Sequence, residues 1–453
     1  MDDIVQLPPN LFTDFSRAAE AVRRAVTVRV ISHNDADGLA SAGVLCAMLL
    51  RECKQFQCTM AKGFDERLVR ETAKDVDLLI ISDMGSNNLE VLESLSVPVV
   101  VLDHHRPEKG GDRLMHLNPH RYGIDGAISG CASSLAMLLA VHVSEKNWDL
   151  LWVAFGGIIG DKQHLRGLSG INIWLYQNGV KRKLVQERPG QLIVDGNLKD
   201  ALNKTTDPFI MGVSGDREGV RRLLDEADVL DNLPYESLDE GQRMRLNSLI
   251  MLRLLRQGST IGNFEEVLAN RYYFPEQRQF SQDLANALNA CGKSEKQGLG
   301  VAMLLGEAEA AKDVERMRVE FGESLLHASV EVSRKGLIQG ANIQYFICPN
   351  PDVSSEACSV MMQWVGDREK PTLSLVHKNG EVKVSSRANR KMVDELGVDL
   401  GSAMKEAAAK VGGVGGGHNI ASGGRVPRGR EEEFLQMVDN IVGQQKSARA
   451  LNK

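Results

Sequence analysis

The chain has 453 residues and a net charge of −6, with 54 Lys and Arg against 60 Asp and Glu. This length predicts two or three folding units, and the charge excludes a polycationic surface, so that any nucleic-acid contact requires a local basic groove. The sequence has no secretory leader and no apolar run near the roughly 20 residues that span a bilayer, which predicts a soluble, cytoplasmic protein without membrane contact.

Residues 26 to about 165 alternate short β-branched runs with helical stretches, a pattern typical of βαβ units around a largely parallel sheet. The predicted strands are Val26–Ser32, Phe56–Met60, Asp77–Ser82 and Pro98–Asp103. Helices are predicted over Gly38–Arg51, Ser129–Val143 and Trp148–Ile159.

Between about 170 and 325 the pattern changes to long helices that mix charged and apolar residues. We predict a first domain over residues 1–325 that includes this helical section. A second, smaller α/β domain is predicted over 335–453. Its predicted strands are Asn342–Cys348, Thr372–Val376 and Val382–Ser386, and its predicted helices are Ser355–Gly366, Met392–Glu395 and Ser402–Val411.

Acidic and imidazole side chains follow the first predicted strand. His33, Asp35 and Asp37 alternate there, and in an extended turn alternate residues face one side. Open α/β sheets bind ligands at the carboxyl ends of their strands, so these three residues form a candidate ligand set for a hard metal ion. The alternative is that the acids only cap the following helix.

Three later segments end in the same residue types. Asp83 lies in SDMG, after an apolar run. PVVVL is followed by Asp103, His104 and His105, and the apolar GGIIGD segment ends in Asp161. Coincidence is a poor explanation for four such ends within 165 residues. His164, three residues after Asp161, is interpreted as a residue that supports the metal ligands or as a helix surface residue, with the surface preferred.

Carboxylates and imidazoles together favour two divalent cations that share one Asp. Mn²⁺ is the first choice, with Mg²⁺ or Co²⁺ as alternatives. Such a pair of ions suits phosphoryl transfer.

The glycine-dense segment VGGVGGGHNIASGG, with Gly416, Gly417 and His418 at its centre, follows about 250 residues downstream. Glycines let a backbone approach a phosphate, with successive N–H groups binding the anion. Arg387, at the end of a predicted strand, is a candidate to bind a phosphate with its guanidinium. The alternatives are a flexible glycine linker and a solvated surface arginine.

Together, HNDADG, SDMG, LDHH, GGIIGD, SSR and GGGHNIASGG resemble the DHH phosphoesterases that carry a DHH-associated C-terminal domain. The chain is most similar to archaeal RecJ-like proteins, including the GINS-associated nuclease. This resemblance implies an active site in the cleft between two α/β domains.

The resemblance also implies roles for individual residues. One metal ion would be bound by His33, Asp35 and Asp83, and the other by Asp37, the shared Asp83, His104 and Asp161. His105 would face the substrate or complete the shell of a metal ion, and Asp103 would orient the imidazoles. Arg387, His418, Gly416 and Gly417 would bind the substrate phosphate.

The leading hypothesis is therefore a metal-dependent exonuclease for single-stranded DNA or RNA, acting in replication or repair. One alternative is a phosphodiesterase for short oligonucleotides or cyclic dinucleotides. Another is a replisome adaptor that binds GINS and the replicative helicase. Polarity, preference for DNA or RNA, and oligomeric state stay open.

Overall fold

The computed structural model describes residues 4–111, 113–192, 196–230, 233–378 and 380–451. The chain divides into two compact units, each made of two segments. Unit 1 comprises residues 1–190 and 269–319, and unit 2 comprises 191–268 and 320–453. The long helix Ala308–Lys335 contains the last of these boundaries.

Unit 1 is built on a five-stranded sheet whose paired strands are all parallel, in the order β2-β1-β3-β4-β5. Its strands are β1 (Thr27–His33), β2 (Gln55–Ala61), β3 (Leu78–Ser82), β4 (Val99–Leu102) and β5 (Met115–Leu117). The first four strands were predicted, and the α/β fold class with a parallel N-terminal sheet is confirmed.

The sheet is buried on both faces because its central strands are continuously apolar. Val30 and Ile80 face one core cluster, and Ile31 and Ile81 face another on the opposite side. The helices of unit 1 are Pro9–Arg24, Ala36–Arg51, Glu66–Thr72, Leu89–Glu93, Ala132–Val143, Leu151–Gly160, Gly170–Lys181, Ser281–Lys293 and Gln297–Leu304.

A small antiparallel sheet also belongs to unit 1, and the sequence analysis did not predict it. It consists of β6 (Gln186–Arg188), β7 (Arg271–Phe274) and β8 (Gln279–Phe280). Strands of two to four residues are too short for alternation of polar and apolar residues to identify them.

Unit 2 contains a mixed six-stranded sheet in the order β13-β14-β12-β11-β10-β9. Its strands are β9 (Ile338–Gln339), β10 (Gln344–Ile347), β11 (Thr372–Lys378), β12 (Glu381–Arg387), β13 (Val414–Gly417) and β14 (Ala421–Pro427). Its helices are Leu198–Lys204, Arg217–Ala227, Glu240–Arg256, Ile261–Val267, Ser354–Val360, Arg390–Asp394, Leu400–Lys410 and Glu431–Leu451.

The helical middle section is divided between the two units, whereas the sequence analysis grouped all of it with the first domain. Residues 191–268 belong with the C-terminal segment because their apolar side chains share its core. Leu223, Leu254 and Phe264 lie in one cluster with Met361 and Trp364. Among the described residues, no helix combines the length and the apolar character that a membrane span requires.

Candidate metal centre

The candidate site lies in unit 1, at the carboxyl ends of the parallel strands. β1 lies between β2 and β3, so the chain connects to opposite sides of it in turn. At such a switch point the connections diverge and leave a crevice between two strand ends. His33 is the last residue of β1 and Asp83 directly follows β3, so both side chains stand at this crevice.

Asp83 is the central residue of the site. Its backbone has a φ of 58°, the left-handed region that Asp and Asn tolerate better than most residues. The residue is 3% exposed, and among the described residues its Oδ2 atom accepts no hydrogen bond of good geometry, with His33 Nδ1 3.3 Å away. Burial, and then the negative charge of Asp35, raise the pKa of Asp83 to about 6. A buried carboxylate oxygen without a donor is costly, which favours a bound cation at this position.

His33, Asp35 and Asp83 form a first group of possible metal ligands, with ligand atoms within 4.8 Å of one another. His33 Nδ1 lies 2.9 Å from Asp35 Oδ2 and 3.3 Å from Asp83 Oδ2. Burial lowers the pKa of His33, but the hydrogen bonds to the two acids outweigh it and raise the pKa to about 10. The close approach of these groups shows that the three side chains converge on one point.

Asp35 is also a helix cap, as the alternative interpretation predicted. Its Oδ1 accepts a hydrogen bond from Gly38 N at 3.0 Å, and the helix begins at Ala36. The segment is therefore not an extended turn with residues 33, 35 and 37 on one side. Asp37 lies in the first helical turn and joins a different group of ligands.

Asp37, His104 and Asp161 form this second group, again with ligand atoms within 4.8 Å of one another. The carboxylate of Asp37 accepts hydrogen bonds from Ala132 N at 2.7 Å and Ser133 N at 3.0 Å, at the start of helix Ala132–Val143. Helix N-termini favour negatively charged side chains, so this contact holds the Asp37 side chain in place.

The glycines before Asp161 make room for this group. A side chain at Gly157 would lie 2.2 Å from Ser133 Oγ and 2.5 Å from Asp37 Oδ1. At Gly160 it would lie 2.6 Å from the Cβ of Ala36. Helix Leu151–Gly160 therefore packs directly against the first motif.

His104 connects the two groups. Its Nε2 lies 3.3 Å from Asp83 Oδ1 and 3.3 Å from Asp161 Oδ2, and its Nδ1 lies 2.9 Å from the carbonyl oxygen of Gly126. Burial lowers the pKa of His104, yet the charges of Asp161 and Asp83 raise it well above its usual value. The ring nitrogen that faces the acids is the one available to a metal ion.

Asp103 supports both histidines without facing the crevice. Its Oδ1 accepts from the backbone N–H of His104 and His105 and lies 2.7 Å from His105 Nδ1. Its Oδ2 accepts from Ser86 N at 2.9 Å. Although burial raises the pKa of Asp103, the hydrogen bond from His105 and that residue's charge hold it well below its usual range.

The residues fit bound divalent cations. Asp83, His104 and His105 make a third group within 4.8 Å, so Asp83 and His104 each belong to two of the three groups. Acids and imidazoles that repel or share protons when alone become compatible when cations lie between them. Hard cations with oxygen and imidazole ligands match this donor set.

The predicted phosphate-binding residues lie together in unit 2. Arg387 ends β12, and β12 pairs with β14 so that Arg387 faces Ala421. The turn from β13 to β14 contains His418, whose N–H donates to Ala421 O at 2.9 Å. The glycine segment is thus a strand pair rather than a flexible linker, which makes that alternative wrong. Gly416 and Gly417, the last two residues of β13, have φ values of 154° and 142°.

Arg387 is held by its neighbours. Its Nε donates to Ser359 Oγ at 3.1 Å, one terminal nitrogen donates to Ser386 O at 2.9 Å, and the other contacts Ser355 Oγ. Arginine has five N–H groups, so these bonds orient the guanidinium and leave donors for a phosphate. That Arg387 and His418 act together with the metal ligands stays a prediction.

Several residues that support the site were not predicted from the sequence. Asn118, which follows β5, donates through Nδ2 to the carbonyl of His105 and to Ser86 Oγ, both at 2.9 Å. The strand-end rule finds it only once β5, a three-residue strand, is known. The assignment of His164 to a surface is wrong: the residue is 8% exposed, and burial lowers its pKa to about 4.

Comparison with known proteins gives two family matches. Residues 27–154 match the DHH family, N-terminal domain, and residues 342–444 match the DHHA1 domain. An uncharacterised protein of Methanocaldococcus jannaschii is 29% identical over 429 residues, which cover 92% of this chain and 94% of that protein.

Two solved structures share the fold. RecJ from Thermus thermophilus in complex with Mn²⁺ superposes with a TM-score of 0.59 and 17% identity over 98% of this chain. The match covers 56% of that RecJ, so the chain spans about half of its length. CDC45 from Entamoeba histolytica superposes with a TM-score of 0.65 and 13% identity, covering 95% of this chain and 99% of that one.

Proposed function

Because the chain belongs to the DHH phosphoesterase superfamily, with a DHH N-terminal domain and a DHHA1 domain, we propose that it is a metal-dependent exonuclease for single-stranded DNA or RNA. One observation carries the proposal: the buried Asp83 belongs to two of the three groups of possible metal ligands and lies where they meet. The RecJ structure in complex with Mn²⁺ supports manganese as the metal.

In this proposal His33, Asp35 and Asp83 bind one ion, and Asp37, Asp83, His104 and Asp161 bind the other. Two such ions would polarise the scissile phosphate and stabilise the attacking and leaving oxygens. Asp103 keeps His105 oriented towards the substrate, because it binds the Nδ1 side of that ring. Arg387 and His418 bind the phosphate of the strand.

The test is hydrolysis of end-labelled DNA and RNA single strands with Mn²⁺, Mg²⁺ or Co²⁺. Asp83→Asn keeps the size and the left-handed backbone of the residue but removes its charge. It should reduce the rate by roughly 10³-fold, since several kcal/mol of transition-state stabilisation depend on the ions. The control Glu71→Gln removes an exposed carboxylate that forms an ion pair with Arg67 and should cleave normally.

Substrate length separates this proposal from the shorter-substrate alternative. An exonuclease should degrade a long single strand completely, whereas a phosphodiesterase for short oligonucleotides or cyclic dinucleotides should act only on the shortest members of a length series. Intact single strands with every cation, together with hydrolysis of a dinucleotide, would reject the exonuclease proposal.

A role as an adaptor in replication is a second proposal, favoured by the fold that the chain shares with CDC45. The partner would be GINS, with or without the replicative helicase. Binding to purified GINS that persists in Asp83→Asn would support an adaptor role independent of catalysis, and no binding at micromolar concentrations would reject it.

A further inference from the structure

Gln163 is a buried amide two residues after Asp161 that belongs to none of the ligand groups. It is 3% exposed. Its Nε2 donates to the carbonyl of Gly126 at 2.8 Å, and its Oε1 accepts from Gly130 N at 3.0 Å and from Asn172 Nδ2 at 2.8 Å. Both ends of the amide are therefore used.

The direction of this amide is fixed by its partners. Gly130 N–H can only donate, so it must meet the oxygen of Gln163, and the Gly126 carbonyl can only accept, so it must meet the nitrogen. A flipped amide would lose both bonds at once. On the far side, Asn172 Oδ1 accepts from Ser134 Oγ at 2.5 Å, and both of those residues are fully buried.

The Gly126 carbonyl that Gln163 holds is also the partner of His104. It accepts from His104 Nδ1 at 2.9 Å, using its second lone pair. Because a carbonyl cannot donate, Nδ1 must carry a proton, which leaves Nε2 as the only nitrogen that can bind a metal ion. That Nε2 faces Asp83 and Asp161 at 3.3 Å.

The Gly126 backbone cannot move closer to His104 to compensate for a lost bond. A Cβ at Gly126 would lie 2.2 Å from the carbonyl oxygen of His104, so the two backbone segments are already in tight contact. The hydrogen bond from Gln163 is therefore one of the contacts that hold the direction of the Gly126 oxygen.

We propose that Gln163 is a positioning residue of the metal centre, which orients the Gly126 carbonyl and so fixes the tautomer and direction of the His104 ring. The inference rests on the proposed ligand assignment. Gln163 would set the affinity of the ion bound by Asp37, His104 and Asp161, and would leave an ion at His33 and Asp35 unaffected apart from the shared Asp83. Outer partners of metal-binding histidines are typically worth about 10- to 100-fold in metal affinity.

The test is a calorimetric titration of the full chain with Mn²⁺ in the absence of nucleic acid. Gln163→Met keeps the length of the side chain but removes its donor and acceptor. We expect two ions to bind the wild type, and the variant to bind one of them about 10- to 100-fold more weakly and the other within threefold of wild type.

Gln344→Met is the matched control. Gln344 is fully buried in unit 2, and its Nε2 donates to Asp367 O, Lys370 O and Thr372 Oγ1. The substitution should destabilise the protein as Gln163→Met does, because each leaves buried polar groups without partners. Its Mn²⁺ affinity should equal that of the wild type, since no ligand group depends on it.

Unchanged affinity at both sites in a folded Gln163→Met protein would overturn the inference, and so would an equal loss in Gln344→Met. If Gln163→Met does not fold, Gln163→Asn decides: its amide is one methylene shorter and cannot reach Gly126 and Gly130 together. At least threefold weaker binding at one site supports the inference, and wild-type affinity rejects it.

The positioning role and the exonuclease proposal are tested separately, the first by metal binding and the second by hydrolysis. A wild-type protein that binds two ions, responds to Gln163→Met as expected and leaves every nucleic-acid substrate intact would refute the exonuclease proposal and uphold the positioning role. A wild-type protein that binds no Mn²⁺ would refute the positioning role.

Discussion

Two strand ends of the molecule carry opposite charges and are stabilised differently. The first is the acidic end of β1, β3 and β4 in unit 1, and the second is the end of β12 in unit 2, where Arg387 lies. At the first, several acids lie close together, and one oxygen of the buried Asp83 accepts no hydrogen bond of good geometry from the described residues. At the second, the cation of Arg387 already donates to two serines and a carbonyl. The first end thus needs a ligand to be electrostatically satisfied, and the second does not. Binding of metal ions should therefore change the stability of the protein, whereas replacing the residues proposed to bind phosphate should mainly change the affinity for substrate.

The largest expected effect is stabilisation by metal. Mn²⁺ at 100 times its dissociation constant should raise the free energy of unfolding by about 2.7 kcal/mol for each independent site, because only the folded protein presents the ligand groups. Thermal unfolding followed with Mn²⁺ and then with a chelator measures this change. In Asp83→Asn the increase should vanish, and the metal-free variant should be at least as stable as the wild type because a buried charge is removed.

Equal stabilisation by Mn²⁺ in wild type and Asp83→Asn would show that the ions bind elsewhere. Arg387→Lys serves as the control from unit 2 and should keep the full metal response. The contrast between the two strand ends would then be visible in one experiment.

A smaller effect is expected from Arg387→Lys in catalysis. Lysine keeps the charge but lacks the planar fork that contacts Ser355 and Ser359 while presenting further donors. We expect KM for a single strand to rise about 10-fold, which corresponds to about 1.4 kcal/mol, with Mn²⁺ affinity unchanged. Steady-state kinetics beside the exposed control Arg428→Lys measure this, and an unchanged KM would remove Arg387 from the phosphate site.

The same contrast explains what the sequence could predict. Each metal-ligand candidate lies at the end of an apolar strand or helix or within four residues after it, so the local pattern that predicts the element also places the side chain near its end. His33, Asp83 and His104 were found in this way, and the structure brings them together. The strand order β2-β1-β3 creates the switch point at which these residues meet. This order depends on which strands pair, and no local pattern in the sequence predicts it.

Supporting residues were missed because their roles depend on distant partners. In the sequence, Gln163 and Asn172 are ordinary polar residues. Their role is visible only in the fold, where the turn after helix Leu151–Gly160 contacts helix Gly170–Lys181. The glycine segment was expected to bind anions through its backbone, yet its N-terminal half pairs as β13. Glycine has low strand propensity, and the pairing is decided by packing: a Cβ at Gly415 would lie 2.4 Å from Met404 O.

The smallest expected effect concerns pH and again belongs to the acidic strand end. In the metal-free protein the two acids raise the pKa of His33 from 6.5 to about 10. A raised pKa means that the folded state binds the proton more tightly, so His33 contributes stability below pH 6.5 that is lost as pH rises through about 10. Solvent access to the ring reduces this contribution to about 1 kcal/mol.

The destabilisation caused by His33→Gln should therefore shrink as pH rises from 6.5 towards 10, measured by urea unfolding with a chelator present. The matched control is His116→Gln. Burial, and then the charge of Arg121, lower the pKa of His116 to about 4, so this ring is neutral throughout that pH range and its replacement should cost the same at every pH. If the destabilisation by His33→Gln were as independent of pH as that by His116→Gln, the pKa of His33 would not be raised by the two acids. The repulsion between those acids in the metal-free protein would then be reduced by groups other than this imidazole.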